Sequence, residues 1–174
     1  MSYLNRDAEN RSERLPIPAQ KHIALVAHDS RKADLLDWVD FNRNQLNKHK
    51  LYGTGTTGGL IADKLNMDIH RFKSGPLGGD QQIGGAIADG LINTMIFFWD
   101  PLEPQSHDVD VKALQRIAVL YNIPIATNRT TADFLISSNL FNDPYERFMV
   151  DYGKRLAKMM EGYISNPSEM TKDQ

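Results

Sequence analysis

The sequence predicts an α/β fold: a doubly wound, open sheet that is mostly parallel, with about five strands and with helices on both faces. Two observations predict it. Short apolar runs alternate along the chain with segments whose apolar residues recur at helical spacing. The runs are four to seven residues long and rich in Val, Ile, Phe or Tyr, which suits buried parallel strands better than half-exposed ones. Strands that alternate with helices in this way form parallel sheets with right-handed crossovers.

The five predicted strands are short and rich in Val, Ile, Phe or Tyr, the residue types that favour extended structure. They lie at residues 22–28, 50–54, 69–72, 94–99 and 123–127.

The predicted helices occupy the segments between these strands and follow the last of them. Their apolar faces are formed by Leu35, Leu36, Val39 and Leu46, by Leu60, Ile61 and Leu65, and by Val111, Leu114, Ala118 and Tyr121. Thr130 or Thr131 is expected to cap a further helix that runs to Leu140, and a last helix is expected over residues 152–163.

The length of 174 residues favours one domain, because a single hydrophobic core serves chains of up to roughly 250 residues. Residues 1–19 are polar and end in a Pro-Ile-Pro sequence, so we expect a flexible extension there. Residues 20–164 are expected to form the domain, and residues 165–174 a flexible tail.

The composition excludes several classes of protein. The chain has no cysteine, which excludes a disulfide scaffold, an iron–sulfur cluster and a cysteine nucleophile. Its net charge of −2 gives no attraction to nucleic acid or to an anionic membrane. No apolar run approaches the ~20 residues that span a bilayer, and the first residues lack the apolar region of a secretory signal. We therefore expect a cytoplasmic protein that binds neither nucleic acid nor membrane.

Polar or glycine-rich sequence follows each predicted strand. Because ligands bind at the carboxyl ends of the strands in such sheets, these segments predict the position of an active site. They are His28-Asp-Ser-Arg-Lys32, Gly53-Thr-Gly-Thr-Thr-Gly-Gly59, the segment from Lys73 to Gln82, Asp100-Pro-Leu with His107 to Asp110 downstream, and Asn128-Arg-Thr.

The segment 53–58 matches the glycine pattern of dinucleotide-binding folds, G-x-G-x-x-G. A dinucleotide site also needs an acidic residue at the end of the next strand to bind the ribose, and the sequence there, Arg71-Phe-Lys-Ser-Gly75, has none. The threonine hydroxyls instead indicate a pocket for a terminal phosphate at a helix N-terminus. A plain turn between strand and helix is the other interpretation. A Walker A motif is absent.

Several acids and histidines can be interpreted in two ways. Asp80, on a glycine-flanked loop, is a candidate general base or a helix cap. Asp100 is a candidate site residue or a loop-bonding residue, and Asp110 is a candidate member of an acid–base set with His28 and His107 or a first-turn helix acid. The histidines do not have the spacing of a metal site, so no metal is expected.

Six ungapped motifs in these segments resemble the methylglyoxal synthase family, over about residues 20–160. They are HIALVAHD (22–29), TGTTGGLI (54–61), SGPLGGDQQIG (74–84), FFWDPL (97–102), HDVDVKAL (107–114) and NIPIATN (122–128). The resemblance implies a three-layer, Rossmann-like sandwich, a homohexamer, and no cofactor or metal. It implies that dihydroxyacetone phosphate is converted to methylglyoxal and inorganic phosphate.

The resemblance also assigns the site residues. It implies that Asp80 is the catalytic aspartate, that His107 polarises the substrate oxygens, and that Asp110 and Asp100 support catalysis. Asp29 is expected to have a supporting role in the binding site. The implied substrate and phosphate contacts are His28, Lys32, Thr54, Gly55, Thr56, Thr57, Ser74, Gly75 and His107.

Two other classes stay open from the residues alone. A phosphate-sensing regulatory domain of the same fold would lack the catalytic carboxylates, whereas this chain has Asp80 and Asp100. A dinucleotide-dependent oxidoreductase is disfavoured by the missing ribose acid.

Overall fold

The computed structural model describes residues 11–102 and 108–165, which divide into two compact units. The larger unit is Pro16–Arg147, and the smaller is formed by the residues before and after it. The first strand, β1 (Arg11–Ile17), pairs with the last, β7 (Tyr145–Val150), in a two-stranded sheet. The smaller unit also includes the last helix, α7 (Tyr152–Ser165), and in it the Arg14 guanidinium lies over the Phe148 ring, 4.8 Å from the ring centroid.

A five-stranded sheet forms the centre of the larger unit, in the spatial order β4-β3-β2-β5-β6. All four of its strand pairs are parallel. The strands are β2 (His22–Ala27), β3 (Lys50–Gly53), β4 (His70–Arg71), β5 (Thr94–Phe98) and β6 (Ile125–Ala126). The predicted doubly wound α/β sheet is therefore confirmed, and each predicted strand contains an observed one.

Helices cover both faces of this sheet, and each face has its own hydrophobic core. One core contains Trp38, Ile61 and Phe98, and the other contains Ile83, Phe97 and Leu114. The helices of the first face are α1 (Lys32–Phe41), α2 (Arg43–Leu46), α3 (Gly55–Leu65) and α6 (Arg129–Ser137), and those of the second are α4 (Gly79–Ala88) and α5 (Asp108–Leu120). Neighbouring residues of β5, Phe97 and Phe98, enter opposite cores because successive strand side chains alternate between faces.

The structure differs from the sequence prediction at the ends of the fold. Strand β1 lies within residues 1–19, where the sequence predicts a flexible extension, and β7 was not predicted. Both strands are rich in polar residues, and their partner is distant in sequence, so neither has the apolar run of a buried strand.

The predicted cap and extent of α6 are wrong. Asn128 caps the helix, since its Oδ1 accepts a hydrogen bond of 2.9 Å from the Thr131 backbone N–H. The helix ends at Ser137, and residues up to Phe141 form a separate 3₁₀ turn in which the Ser138 hydroxyl accepts from the Leu140 N–H.

Candidate active site

The central strand β2 and its neighbour β5 end side by side at the point where the strand order reverses. From β2 the chain proceeds to β3 and β4 on one side, and then crosses to β5 and β6 on the other. Such a reversal opens a crevice beyond the carboxyl ends of the two strands. The His28 N–H donates to the Phe98 carbonyl at 3.2 Å, and the Asp100 N–H donates to His28 Nδ1 at 3.4 Å. These bonds join the two strand ends beneath the crevice.

A cleft of about 260 Å³ lies at this edge of the sheet. It brings together seven of the residues that the sequence predicts for the site: His28, Asp29, Lys32, Thr56, Ser74, Gly75 and Asp80. Two larger cavities lie elsewhere, one of about 610 Å³ along β3 and β4 and one of about 270 Å³ at the amino ends of β2 and β5. Neither is lined by a predicted site residue, so chemistry rather than size identifies the site.

Three helices begin at the cleft, and each contributes a residue of its first turn. Lys32 is the first residue of α1, Thr56 the second of α3, and Asp80 the second of α4. The N-terminus of a helix carries a partial positive charge and unsatisfied backbone N–H groups. Three such termini at one cleft favour an anionic ligand with several oxygens.

Lys32 stands at an electrostatically unfavourable position, since a cation is disfavoured at the positive end of a helix. Its ammonium pairs with the carboxylate of Asp29, three residues earlier. The Lys32 side chain is 18% exposed and that of Asp29 is 78% exposed, so the lysine is largely enclosed while its partner faces solvent. An anion bound in the cleft would give the Lys32 ammonium a second partner. That partner would be less exposed to solvent than Asp29, so its attraction to Lys32 would be stronger.

The loop 73–79 and the start of α3 form one wall of the cleft at close backbone contact. A Cβ on Gly55 would lie 2.9 Å from the Ser74 backbone nitrogen, so glycine is required there. Thr54 and Ser74 precede helical turns, yet neither side chain caps its turn. Thr54, Gly55 and Thr57 belong to the same turn as Thr56 but do not line the cleft, and the buried Thr57 hydroxyl has no hydrogen-bond partner in the described part of the chain.

Asp80 is a buried carboxylate that lines the cleft. It is 6% exposed, although aspartate is seldom buried to this extent. The sequence left open whether Asp80 caps the helix. The structure places Gly78 at the cap, and Asp80 lies in the first turn. A carboxylate in a largely desolvated position beside an anion-binding wall is suited to act as a general base.

Asp100 does not line the cleft. Its Oδ2 accepts a hydrogen bond of 2.7 Å from the Ser30 hydroxyl, and its Oδ1 accepts one of 2.9 Å from the Leu102 N–H. These bonds, that from Ser30 foremost, lower the pKa of Asp100 below its usual value. The arrangement indicates a carboxylate that fixes the ends of β2 and β5.

Two predicted residues cannot be placed in the cleft. Asp110 lies in the first turn of α5, and only its backbone position is described. His107 lies outside the described residues.

The apolar part of the cleft lining was not predicted from the sequence. Val26 and Phe97, which are paired neighbours on β2 and β5, and Val111 of α5 form apolar walls. The sequence could have indicated Val26 and Phe97. Residues at the ends of two predicted buried strands must border a site that lies at the carboxyl ends of those strands. Apolar walls exclude water and strengthen polar interactions within the cleft.

Among the side chains that the structure describes, no three His, Asp or Glu groups are arranged as metal ligands would be. None of the helices within residues 11–102 and 108–165 combines the length and hydropathy that crossing a bilayer requires.

Comparisons with known proteins agree on one family. The model of the family described as "MGS-like domain" matches residues 34–127, which is more than half of the chain. The chain is similar to the methylglyoxal synthase of Leptospira interrogans, with 56% identity over 142 residues, covering 82% of this chain and 96% of that protein. It is 58% identical to the methylglyoxal synthase of Pectobacterium atrosepticum over 140 residues, covering 80% and 92% of the two chains.

The fold shows the same relationship. The crystal structure of methylglyoxal synthase from Elizabethkingia anophelis superposes with a TM-score of 0.80 at 48% identity, covering 83% of this chain and 95% of that one. Identity at this level over four-fifths of the chain, together with a shared fold, establishes common ancestry, and the chain belongs to the methylglyoxal synthase family.

Proposed function

We propose that the cleft converts dihydroxyacetone phosphate to methylglyoxal and inorganic phosphate. The observation that carries this proposal is the buried carboxylate of Asp80 in the same cleft as Lys32, Thr56 and Ser74. A regulatory domain that only senses phosphate needs the phosphate-binding groups Lys32, Thr56 and Ser74, but it does not need the Asp80 carboxylate. The products contain all the atoms of the substrate, so the reaction needs no co-reactant, and we propose neither a cofactor nor a metal.

The phosphate of the substrate is bound where the three helices begin. Lys32 supplies a charge, Thr56 and Ser74 supply hydroxyl donors, and Gly75 allows the backbone to approach closely. Thr54, Gly55 and Thr57 form the turn that carries Thr56, and His28 lines the cleft beside Lys32. Asp29 holds Lys32 in place through their ion pair.

Asp80 removes a proton from C3, the hydroxymethyl carbon of the substrate. This hydrogen is weakly acidic, so a base gains most from fixed position and partial desolvation. The resulting enediolate carries negative charge on the C2 oxygen. His107 donates a hydrogen bond to that oxygen, a role that the family resemblance suggests. Asp110 and Asp100 support these groups, Asp100 by fixing the strand ends beneath His28.

Phosphate leaves in the second step. The electron pair of the C2–C3 double bond moves to C1–C2 as the C1–O bond breaks, and the C3 hydroxyl loses its proton and becomes the aldehyde. The C2 oxygen takes up a proton, which gives the enol of methylglyoxal, and this enol tautomerises to the product. Elimination requires the C1–O bond to stand nearly perpendicular to the enediolate plane. The residues that bind the phosphate, Lys32, Thr56 and Ser74, are called the phosphate wall below. They must hold the leaving group out of that plane.

The enzyme is further proposed to act in the cytoplasm as a homohexamer, in methylglyoxal biosynthesis as a bypass of glycolysis. Inorganic phosphate, being a product that fits the same wall, is proposed to compete with the substrate.

The test is an assay of the full chain with dihydroxyacetone phosphate and no added cofactor. We expect methylglyoxal and phosphate to appear in equal amounts. Phosphate binding without methylglyoxal formation would assign the regulatory class instead. A requirement for a nicotinamide cofactor would assign the oxidoreductase class.

A further inference from the structure

We infer that Gln82 is a positioning residue that holds the base and the phosphate wall at a fixed separation; this inference rests on the proposed function. The Gln82 side chain is tied to the backbone of the cleft wall. Its Oε1 accepts a hydrogen bond of 2.8 Å from the Lys73 N–H, and the Lys73 carbonyl accepts one of 2.9 Å from the Gly55 N–H. The peptide groups on either side of Lys73 thus connect α4 with the first residue of α3.

The two ends of this connection carry the two halves of the chemistry. Helix α4 carries Asp80, two residues before Gln82, and α3 carries Thr56, one residue after Gly55. Ser74, which also lines the cleft, follows Lys73 directly. A shift of α4 relative to Lys73 therefore changes the distance from the base to the phosphate wall.

Gln82 itself does not line the cleft. Residues two apart on a helix face different directions, so Gln82 and Asp80 cannot both face the substrate. Gln82 is exposed, yet its amide reaches back nine residues along the chain to Lys73. Its effect on the reaction must therefore pass through the backbone.

Two backbone hydrogen bonds close the loop between Lys73 and Gln82, but neither of them reaches the Lys73 N–H. The Gly79 N–H donates to the Ser74 carbonyl at 2.9 Å, and the Gln82 N–H donates to the Gly78 carbonyl at 3.1 Å. With the loop closed in this way, the Gln82 side chain is the group that fixes α4 to the Lys73 N–H.

The two chemical steps depend differently on this spacing. Proton abstraction needs Asp80 near C3, and it tolerates some freedom at the phosphate. Elimination additionally needs the phosphate out of the enediolate plane while the base holds the other end of the molecule. Loosening the connection should therefore slow elimination more than proton abstraction, so that more enediolates take up a solvent proton and return to substrate.

The experiment measures both steps in D2O, as methylglyoxal formed and as deuterium at C3 of the recovered substrate, with a sample without enzyme as blank. Gln82→Met keeps the length of the side chain but removes the acceptor. We expect kcat to fall about tenfold, as for a small misplacement of reacting groups, and the ratio of deuterium exchange to product to rise. Gln82→Glu keeps an acceptor oxygen and should restore most of both quantities. Gln81→Met, at the exposed neighbouring position, is the matched control and should behave as wild type.

Gln82→Asn is the second variant, because it keeps the amide but is too short to reach Lys73, and it should resemble Gln82→Met. An unchanged kcat and exchange ratio in both variants would overturn the inference. A lower kcat with an unchanged ratio and a matching loss of thermal stability would also overturn it, since that indicates a structural role. If the wild-type chain forms no methylglyoxal, the proposed function fails, which is a different outcome.

Discussion

A Cβ on Gly79 would overlap the backbone carbonyl oxygen of Lys73. Helix α4 therefore begins in direct backbone contact with the loop that precedes it, and no larger residue fits without displacing that loop. The same helix contains Gly85, where a Cβ would meet nothing within 4 Å. This pair allows the effect of the loop contact to be separated from that of helix propensity.

Gly79→Ala should lower the free energy of unfolding by about 1–3 kcal/mol, as overpacking does, and should also lower kcat, because Asp80 is the next residue. Gly85→Ala should instead raise the free energy of unfolding by up to about 1 kcal/mol, since alanine is the better helix former. Urea unfolding and the methylglyoxal assay measure the two effects. Equal stability of the two variants would contradict the close contact.

Asp80→Asn should lower kcat by about 10³-fold, as the loss of a positioned base does. Substrate binding should persist, because the phosphate is held by other residues. Asp89→Asn, at the exposed end of the same helix, is the matched control and should retain wild-type kcat. If Asp80→Asn kept near-normal kcat, the base would have to be sought at Asp110 or Asp100.

Inorganic phosphate should stabilise the fold and inhibit the reaction competitively. At 100 times its dissociation constant, a ligand raises the free energy of unfolding by about 2.7 kcal/mol. Thr56→Val removes one donor from the wall and should weaken both effects, whereas Thr130→Val, at an exposed position outside the cleft lining, should weaken neither. Thermal melts and inhibition curves decide the matter. If phosphate changes neither quantity in the wild type, the pocket assignment is wrong.

Dialysis against EDTA should leave the activity unchanged, because the proposed steps use only groups of the protein itself. The measurement is the initial rate before and after dialysis, with readdition of single divalent ions. Activity that is lost on chelation and restored by one ion would make His28, His107 and Asp100 candidate ligands.

The stability of the chain should fall in mild acid because of His49. Its Nδ1 accepts a hydrogen bond of 3.1 Å from the Lys21 N–H, and burial, followed by the charges of Lys21 and Lys48, lowers its pKa from the usual 6.5. The unfolded chain therefore takes up this proton at a higher pH than the folded chain. The free energy of unfolding should decline as pH falls below 6.5, until the lowered folded-state pKa is passed.

His49→Gln removes the ring and should reduce this decline between pH 7 and pH 5, as measured by urea unfolding at each pH. His70→Gln, at an exposed histidine of β4, is the matched control. The burial of His22 lowers its pKa too, so part of the decline should persist in both variants. An identical decline in the wild type and in His49→Gln would contradict the assignment.

The sequence predicted the centre of the five-stranded sheet well because strands β2 and β5 are buried on both faces. Side chains on both faces of these strands, such as Ile23 and Phe97, are buried, so each strand appears in the sequence as a run of apolar residues. Strands β1 and β7 were missed because each mixes polar and apolar residues without regular alternation, and each depends on a partner at the other end of the chain. Long-range pairing of this kind leaves no local periodicity.

The candidate site was predicted in part, for a similar reason. Residues that closely follow the strands, such as His28 and Ser74, were predicted to lie together because strand ends converge in this fold, and both line the cleft. The hydrogen bond between Gln82 and Lys73 was not predicted, because only the course of the loop brings these two groups together.

The five-stranded sheet ends on each side in a strand of two residues, β4 and β6. A long exposed edge would offer unpaired backbone groups to another chain and would favour aggregation, whereas two residues offer very few. At β4 both residues are exposed, and one of them is the charged Arg71, which further opposes pairing with a foreign strand. The shortness of its outer strands thus helps to protect the folded chain from edge-to-edge polymerisation when it is abundant.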